Sequence, residues 1–416
     1  MGKKLRIAAL LVIIAILATS CNFGAKSLVP SETPGTTQPT DSTPDNNTPG
    51  ETNTPEPTPE STPEPTPTPE AKEPIKVKAV YVTGPVAGTR IDKLIELVEK
   101  TELNSLVIDI KEGGYVNYES NVPLVKELGL YKKNYNVEEI LKKCHEKNIY
   151  VIGRIVVFRD DGLATKKPEY AIKKPNGSLW KEGDHGAWTN PYLEGVQDYN
   201  IEIAKEAVRL GFDEIQYDYV RFPTAKASEV YYGENMPEKI NAISDFLKKS
   251  AEEIKKVKDV PVSADIFAIV AESERDGKTI GQHLELVGLH IDYISPMIYP
   301  SHYANAASKG PMSNGVGQKI NGVLFTAPDL KPYDVVYQTL LKTKERISAV
   351  PEYKAKVRPY LQDFTASYLP TGYWQTYGPE QVRAQIQAVY DAGYEEWILW
   401  NSKNIYTEGA LLPAEN

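Results

Sequence analysis

Between Val77 and Trp400, apolar runs of strand length alternate eight times with segments of helical period, lacking only a clear helix after the last run. The pattern predicts strands over Val77–Thr83, Asn104–Lys111, Ile149–Phe158, the opening of Gly211–Pro223, Pro261–Phe267, Ile291–Tyr299, Lys356–Gln362 and Glu396–Trp400. It predicts amphipathic helices over Arg90–Lys100, Val137–Lys147, Val196–Leu210, Glu238–Val257, Ile280–Gly288, Tyr333–Ile347 and Pro379–Ala392. Two long loops, Arg159–Pro191 and Pro300–Leu330, interrupt the rhythm. Nearly continuous apolar strands joined by helices belong to a parallel sheet covered by those helices. The expected fold class is therefore α/β. Eight repeats over about 330 residues favour a closed (β/α)8 TIM barrel over an open sheet.

Side-chain alternation then assigns faces. In GFDEIQYDYVRFP (Gly211–Pro223), Ile215, Tyr217 and Tyr219 fall on one face, Gln216 and Asp218 on the other. Ser263 and Asp265 share a face of the fifth strand, and Ser295, Met297 and Tyr299 one of the sixth. In the second strand Asp109 opposes Ile108 and Ile110. Polar groups facing a barrel interior are either paired or present for chemistry. Barrel active sites sit at the C-terminal ends of the strands. Polar and aromatic residues gather there: Asp109 and Glu112, Arg154 and Arg159, Asp218 and Arg221, Asp265, Tyr299 with His302 and Tyr303, Gln362, and Trp400. The N-terminal strand ends show much less of this.

Asp218 and Asp265 are the candidate catalytic pair. Asp109, Glu112, Arg154, Arg221, Tyr299, His302, Gln362 and Trp400 are candidate substrate contacts, with Asp109 in a supporting role. The competing reading of Asp218 is a buried ion pair with Arg154 or Arg221. Trp400 and Tyr299 read equally well as sugar platforms or core aromatics. Trp180, Trp188 and Trp374 lie in loops and read as cleft wall.

Composition changes the picture at the N-terminus. Lys3, Lys4 and Arg6 precede an apolar run from Ile7 to Ala18, too short for a comfortable membrane span but right for a secretory signal. Leu17-Ala-Thr-Ser-Cys21 resembles a bacterial lipobox, with Ala18 where leucine is commonest. Residues 1–21 are thus expected to be a lipoprotein signal with lipidation at Cys21; an ordinary cleaved signal and a short uncleaved anchor are the alternatives. Residues 22–74 are rich in Pro, Thr, Ser and Glu, centred on TPEPTPESTPEPTPTPE, and their lack of apolar periodicity excludes a packed core. As a polyproline II stalk, Pro30–Pro74 would reach on the order of 140 Å at ~3.1 Å per residue.

The acidic residues of that stretch exceed its one lysine by eight, which accounts for most of the net charge of −9. The expected barrel, residues 75–410, is then only mildly acidic and lacks the basic patch of a nucleic-acid binder. The expected partners are a polysaccharide or oligosaccharide and, through the lipid anchor, a membrane, with no nucleic acid. The protein is expected to be exported, held at the extracellular side of the membrane, and monomeric. Cys144 is the only other cysteine, so the barrel contains no internal disulfide. In a helical pattern beside His145, it reads as a packed thiol.

Two carboxylates on neighbouring strands with aromatic residues at the rim suit hydrolysis of a glycosidic bond. Strands lie ~4.8 Å apart, which would bring Asp218 and Asp265 near the ~5–5.5 Å of a retaining mechanism. Asp218 would be the nucleophile, and Asp265 the acid/base with a raised pKa. His145, His185, His283, His290 and His302 show no ligand spacing, so no metal is expected. Gly84-Pro-Val-Ala-Gly88 is a loop with two glycines rather than a phosphate or dinucleotide fingerprint, and a GxSxG elbow is absent. No cofactor is expected either. The alternative is a non-catalytic carbohydrate-binding or surface-scaffold lipoprotein on the same barrel. A transporter's solute receptor is disfavoured, since even repeats leave no second lobe to close on a ligand.

The segments VYVTG, SLVIDIKEGGYVNY, YVIGRIVVFRD, IQYDYVRFP, VSADIF, ISPMIYPSHY, VRPYLQDF and WILWN together resemble the bacterial putative glycosyl hydrolase domain family, over residues 76–408. That resemblance implies an extracellular (β/α)8 barrel acting on carbohydrate. More loosely, the chain is similar to the family 18 chitinases, whose fourth strand carries DxxDxDxE, whose sixth carries MxY and whose eighth carries a Trp. Met297-Ile-Tyr299, Trp400, Asp213 and Asp218 match that pattern. Gln216 replaces the middle acid, and Val220 stands where the catalytic Glu would be, which excludes a mechanism through that Glu.

Overall fold

The computed structural model describes residues 75–414; the expected signal, Cys21 and the Pro/Thr-rich segment lie outside them. Eight parallel strands close into a barrel: β1 Lys78–Val82, β2 Ser105–Glu112, β3 Tyr150–Val156, β4 Glu214–Asp218, β5 Val262–Phe267, β6 Tyr293–Ile298, β7 in two pieces (Lys356–Val357 and Tyr360–Gln362), and β8 Trp397–Trp400. Each pairs with its neighbours in sequence, and β8 closes on β1 through Lys78↔Trp397, Ala79↔Ile398 and Val80↔Leu399. This is the (β/α)8 TIM barrel expected from the alternation.

The covering helices are α1 Gly84–Lys100, α2 Val137–Glu146, α3 Glu194–Leu210, α4 Lys239–Lys255, α5 Glu274–Ile280, α6 Leu284–Val287, α7 Pro332–Ser348 and α8 Pro379–Asp391. Their apolar spacing explains their placement. Thus α1 buries Ile91, Leu94, Ile95 and Val98, and α4 buries Ile243, Phe246, Leu247 and Ile254. The outward residues of the strands, among them Val80, Ile108, Val151, Ile215 and Leu399, join these helices in the main core. Inward residues Val77, Ala79, Val107, Ile152, Tyr360 and Ile398 form a second cluster within the barrel.

Departures from the expected elements have local causes. Helix α1 starts at Gly84 rather than Arg90, because Pro85 is tolerated in a first turn, and the chain kinks at Arg90. The helix expected over Ile280–Gly288 is instead the pair α5 and α6. Gly281 ends α5 in a left-handed conformation (φ 83°), and a Cβ there would lie 2.9 Å from the Lys239 carbonyl oxygen. Strand β7 is interrupted at Arg358-Pro359, where proline has no N–H for the ladder. The loop over 300–330 contains a small hairpin, Gln318–Ile320 with Val323–Phe325. Trp180 and Trp188, expected as cleft wall, are buried in the main core, while Trp374 is half-buried. The loop that carries Trp180 and Trp188 folds an apolar layer of its own against the barrel, with Ile172 in it. Cys144 is buried, and burial pushes its thiol up to about 12, as expected of a packed cysteine.

The N-terminal strand ends, expected to be poor in polar groups, hold a sealed ion pair. Glu214, the first residue of β4, pairs with Arg358, and neither is exposed. Ser263 donates to Glu214 at 2.6 Å, and the Arg358 guanidinium lies 4.2 Å over the Tyr293 ring. Above this pair Tyr360 donates to Gln216 at 2.6 Å, and Gln216 donates to Ser295 at 3.3 Å. Glu214 points inward by the same parity as Gln216 and Asp218. Arg358→Met leaves Glu214 buried without a countercharge and should cost about 3–5 kcal/mol, whereas Arg358→Met with Glu214→Gln should cost far less. Urea unfolding of the single and double variants measures the difference; strictly additive losses would show that the pair is uncoupled.

Candidate active site

Strand β2 contains a bulge: Asp109 pairs with Arg154 but Lys111 with Ile155, so one residue is left over. The extra residue breaks the alternation, and Asp109 and Glu112 both reach Arg154. Lys111 turns the other way and buries its ammonium against Asp160 (2.6 Å) and Asn200 (2.7 Å). The Asp109 carbonyl accepts from the side chains of Asn117 and Tyr135, each at 3.0 Å. Gly153 on β3 makes the packing possible, since a Cβ there would meet Ile110 Cδ1 at 2.2 Å.

Arg154 then gathers the carboxyl groups. Its Nη1 lies 2.5 Å from Asp109 Oδ1 and 3.2 Å from Glu112 Oε2, and its Nη2 2.5 Å from Asp218 Oδ2. Its Nε is 3.7 Å from Asp265 Oδ2. The buried pairing of Asp218 with Arg154, weighed from the sequence as a competing role, is present; no pairing with Arg221 is found among the described residues. One guanidinium cannot neutralise four carboxylates, so some of them keep their protons. Asp265 is 1% exposed, and its Oδ1 has no hydrogen-bond partner. Burial, reinforced by the neighbouring Asp218, holds its carboxyl well above the usual range. Asp109 accepts from Tyr81 Oη at 2.6 Å, and burial pushes it up to about 7 against the pull of Arg154. Glu112 is the open member, its side chain 46% exposed.

Tyr219, expected on the outer face with Tyr217, leaves that face. It has φ 49°, a left-handed backbone immediately after Asp218, which swings the ring to the rim. Such a conformation in a non-glycine residue costs about 1–3 kcal/mol and persists only where its surroundings hold it. Here its N–H donates to Asp218 Oδ1 at 2.5 Å, and its hydroxyl accepts from Arg159 at 2.5 Å.

The other half of the mouth is aromatic. Tyr81 stacks on Trp400 with centroids 6.2 Å apart, and Trp400 lies 5.5 Å from Tyr299. Phe364 packs edge-on to both Trp400 and Tyr299, and His302 edge-on to Tyr299. Burial pulls the His302 imidazole down to about 4, which leaves it neutral at ordinary pH. The mouth is therefore acidic along β2 to β5 and aromatic along β6 to β8 and β1.

Gln362, a candidate contact, is fully buried; it accepts from Ser301 and donates to Asp329 and the Phe364 carbonyl, fixing the loops that carry His302 and Phe364. Arg221 lies among the rings of Trp188, Tyr219 and Phe267. Val220 is buried in the main core, so that position presents nothing to the mouth. Tyr81 and Phe364 were not anticipated. The inward parity of Tyr81 with Val77 and Ala79 was a usable signal, whereas Phe364, past the end of β7, had none. Among the described residues no three His, Cys, Asp or Glu are grouped to hold a metal ion.

The folded state keeps the Asp265 proton where an unfolded chain, with a carboxyl near 3.8, has lost it. Stability therefore falls as pH rises above about 4 toward the folded pKa. Asp265→Asn should flatten that decline in Tm and melt above the wild type at neutral pH; parallel curves would mean that Asp265 is already ionised.

The chain matches the family described as "Putative glycosyl hydrolase domain" over residues 79–406. No curated protein matches it. Among solved structures, the glycoside hydrolase domain of PgaB (BpsB) from Bordetella bronchiseptica aligns with TM-score 0.53 and 12% identity, over 80% of this chain and 95% of that one. A hypothetical protein from Ruminiclostridium thermocellum ATCC 27405 is 44% identical over 45% of this chain and 96% of that one, with TM-score 0.42. The alpha-galactosidase TtGalA of Thermus thermophilus is 12% identical over 79% and 58%, with TM-score 0.46. The Bordetella likeness shows a shared barrel fold. With four-fifths of its length matched, the chain belongs to the putative glycosyl hydrolase domain family.

Proposed function

We propose that this barrel cleaves a glycosidic bond in a cell-wall or environmental polysaccharide outside the cell, using Asp218 and Asp265. The observation that carries the proposal is their joint hold by Arg154, at 2.5 and 3.7 Å, with one carboxyl fully hydrogen-bonded and the other buried and kept protonated. Two carboxyl groups on one guanidinium fall inside the ~10 Å beyond which no glycosidase geometry works. Asp218, accepting on both oxygens, is the nucleophile toward the anomeric carbon. Asp265 gives its proton to the leaving oxygen and then takes one from the water that releases the sugar. The Tyr81, Trp400 and Tyr299 rings supply a flat wall for the sugar face.

A second reading has its own observation. Asp265 is sealed, whereas Glu112 is held by the same arginine and open to solvent. Glu112 would then be the proton donor. Asp218→Asn should lower kcat/KM by on the order of 10²–10⁴-fold while sparing glycan binding. Asp265→Asn should do the same under the first reading and Glu112→Gln under the second. Full activity in both Asp218→Asn and Asp265→Asn would sink the assignment.

In the same proposal the barrel acts as a monomer, tethered to the membrane through lipid on Cys21. Cys21→Ser should move the protein from the membrane fraction to the soluble one. Unchanged fractionation would refute the tether, and a dimer mass by light scattering the monomer.

A further inference from the structure

Two arginines at the same mouth stand apart from the Arg154 cluster. Arg221 is only 7% exposed, yet its Nη1 donates to the carbonyl of Phe222 (2.9 Å) and the rest of its surroundings are rings: Phe267 at 4.6 Å, Trp188 at 4.8 Å and Tyr219 at 5.2 Å. Arg159, half-buried, lies 4.8 Å from the same Tyr219 ring. Among the described residues neither has a carboxylate within ion-pair distance. The acids that influence Arg221 do so from beyond ion-pair distance: Asp218 is bound by Arg154, and Glu182 accepts from the Trp188 indole N–H at 3.1 Å. Exposed arginines go unpaired at little cost, but a buried guanidinium without a countercharge is costly. A second guanidinium sharing its ring adds repulsion, and burial lowers the pKa of Arg221 accordingly.

Their position gives this charge a purpose. Arg221 follows Asp218 by three residues, and Phe267, which it covers, follows Asp265 by two. Tyr219, which both arginines flank, bonds Asp218 directly through its N–H. We propose that Arg221 and Arg159 form a subsite for an anionic group of the glycan, a carboxylate or a sulfate ester, so that the substrate is an acidic polysaccharide bound with its charged sugar beside the carboxyl pair. The proposal rests on the barrel being a glycan-acting site as read above. A planar guanidinium fork matches either anion through paired N–H donors. The surrounding rings exclude water and so strengthen the contact. The bound anion supplies the direct ion-pair partner that the fold withholds from these two arginines.

The test is calorimetric binding to the full chain carrying Asp265→Asn. Uronate-bearing polysaccharides are compared with their carboxyl-reduced forms, and sulfated ones with their desulfated forms, at fixed ionic strength. At least one acidic form should bind roughly tenfold or more tightly than its neutral counterpart, and which pair shows it distinguishes carboxylate from sulfate. Adding Arg221→Gln or Arg159→Gln should remove that preference, and Arg159→Lys should restore part of it. If Arg221→Gln fails to fold by circular dichroism, the less buried Arg159 carries the test. Equal binding of acidic and neutral forms throughout, or a preference that survives loss of the arginines, overturns the proposal. Binding needs no turnover, so acidic glycans bound but never cleaved by the wild type would defeat the proposed hydrolysis and leave this subsite standing. Neutral glycans cleaved without any acidic preference would do the reverse.

Discussion

Arg154 is the constraint on which the mouth of this barrel depends. A single guanidinium on β3 meets carboxyl groups from β2, β4 and β5. It cross-links the acidic half of the barrel at its C-terminal end and sets the charge balance there. Four acids around one cation cannot all ionise in a buried space, so protons are retained where solvent is most completely excluded, at Asp265 and Asp109. The unequal environments of Asp218 and Asp265 follow from this. One accepts hydrogen bonds on both oxygens, and the other keeps an oxygen with no partner at all. A buried carboxyl that keeps its proton, as Asp265 does, is what a general acid at neutral pH needs.

The remainder of the mouth is built around that cluster at some cost to stability. Tyr219 holds a left-handed backbone next to Asp218, and Arg221 lies buried with no carboxylate at ion-pair distance among the described residues. Deeper in the barrel the Glu214 charge is met by Arg358 and Ser263, and Gln216 is held by Tyr360 and Ser295, although Nε and Nη1 of Arg358 have no hydrogen-bond partner.

Much of the fold was legible because its signals are local. The alternation of strand and helix between Val77 and Trp400 is a pattern of nearest neighbours, and it survives folding. Parity placed Asp218, Asp265 and Tyr299 on inward faces, which the register bears out. One residue breaking the period moves a side chain: positive φ at Tyr219 removes it from the face of Tyr217, while the bulge in β2 brings Glu112, a candidate contact, to the side of Asp109. Glu214 shares the inward parity of Asp218, but it lies at the N-terminal end of its strand, where the rule for barrel active sites gives no reason to single it out. Gln362 obeyed the rule for strand ends, yet a loop closed over it.

By itself the sequence determined the elements, the faces of most strands and the residues available to the mouth, since hydrophobic period and side-chain alternation act over a few residues. Closure of the barrel decided which charges meet. Arg154 lies far in sequence from Asp218 and Asp265, and only the pairing of β3 with β4 and of β4 with β5 brings the three together. Whether a carboxyl keeps its proton, and whether an arginine finds a countercharge, depends on burial and on neighbours from other strands. Those are long-range properties that no local pattern encodes.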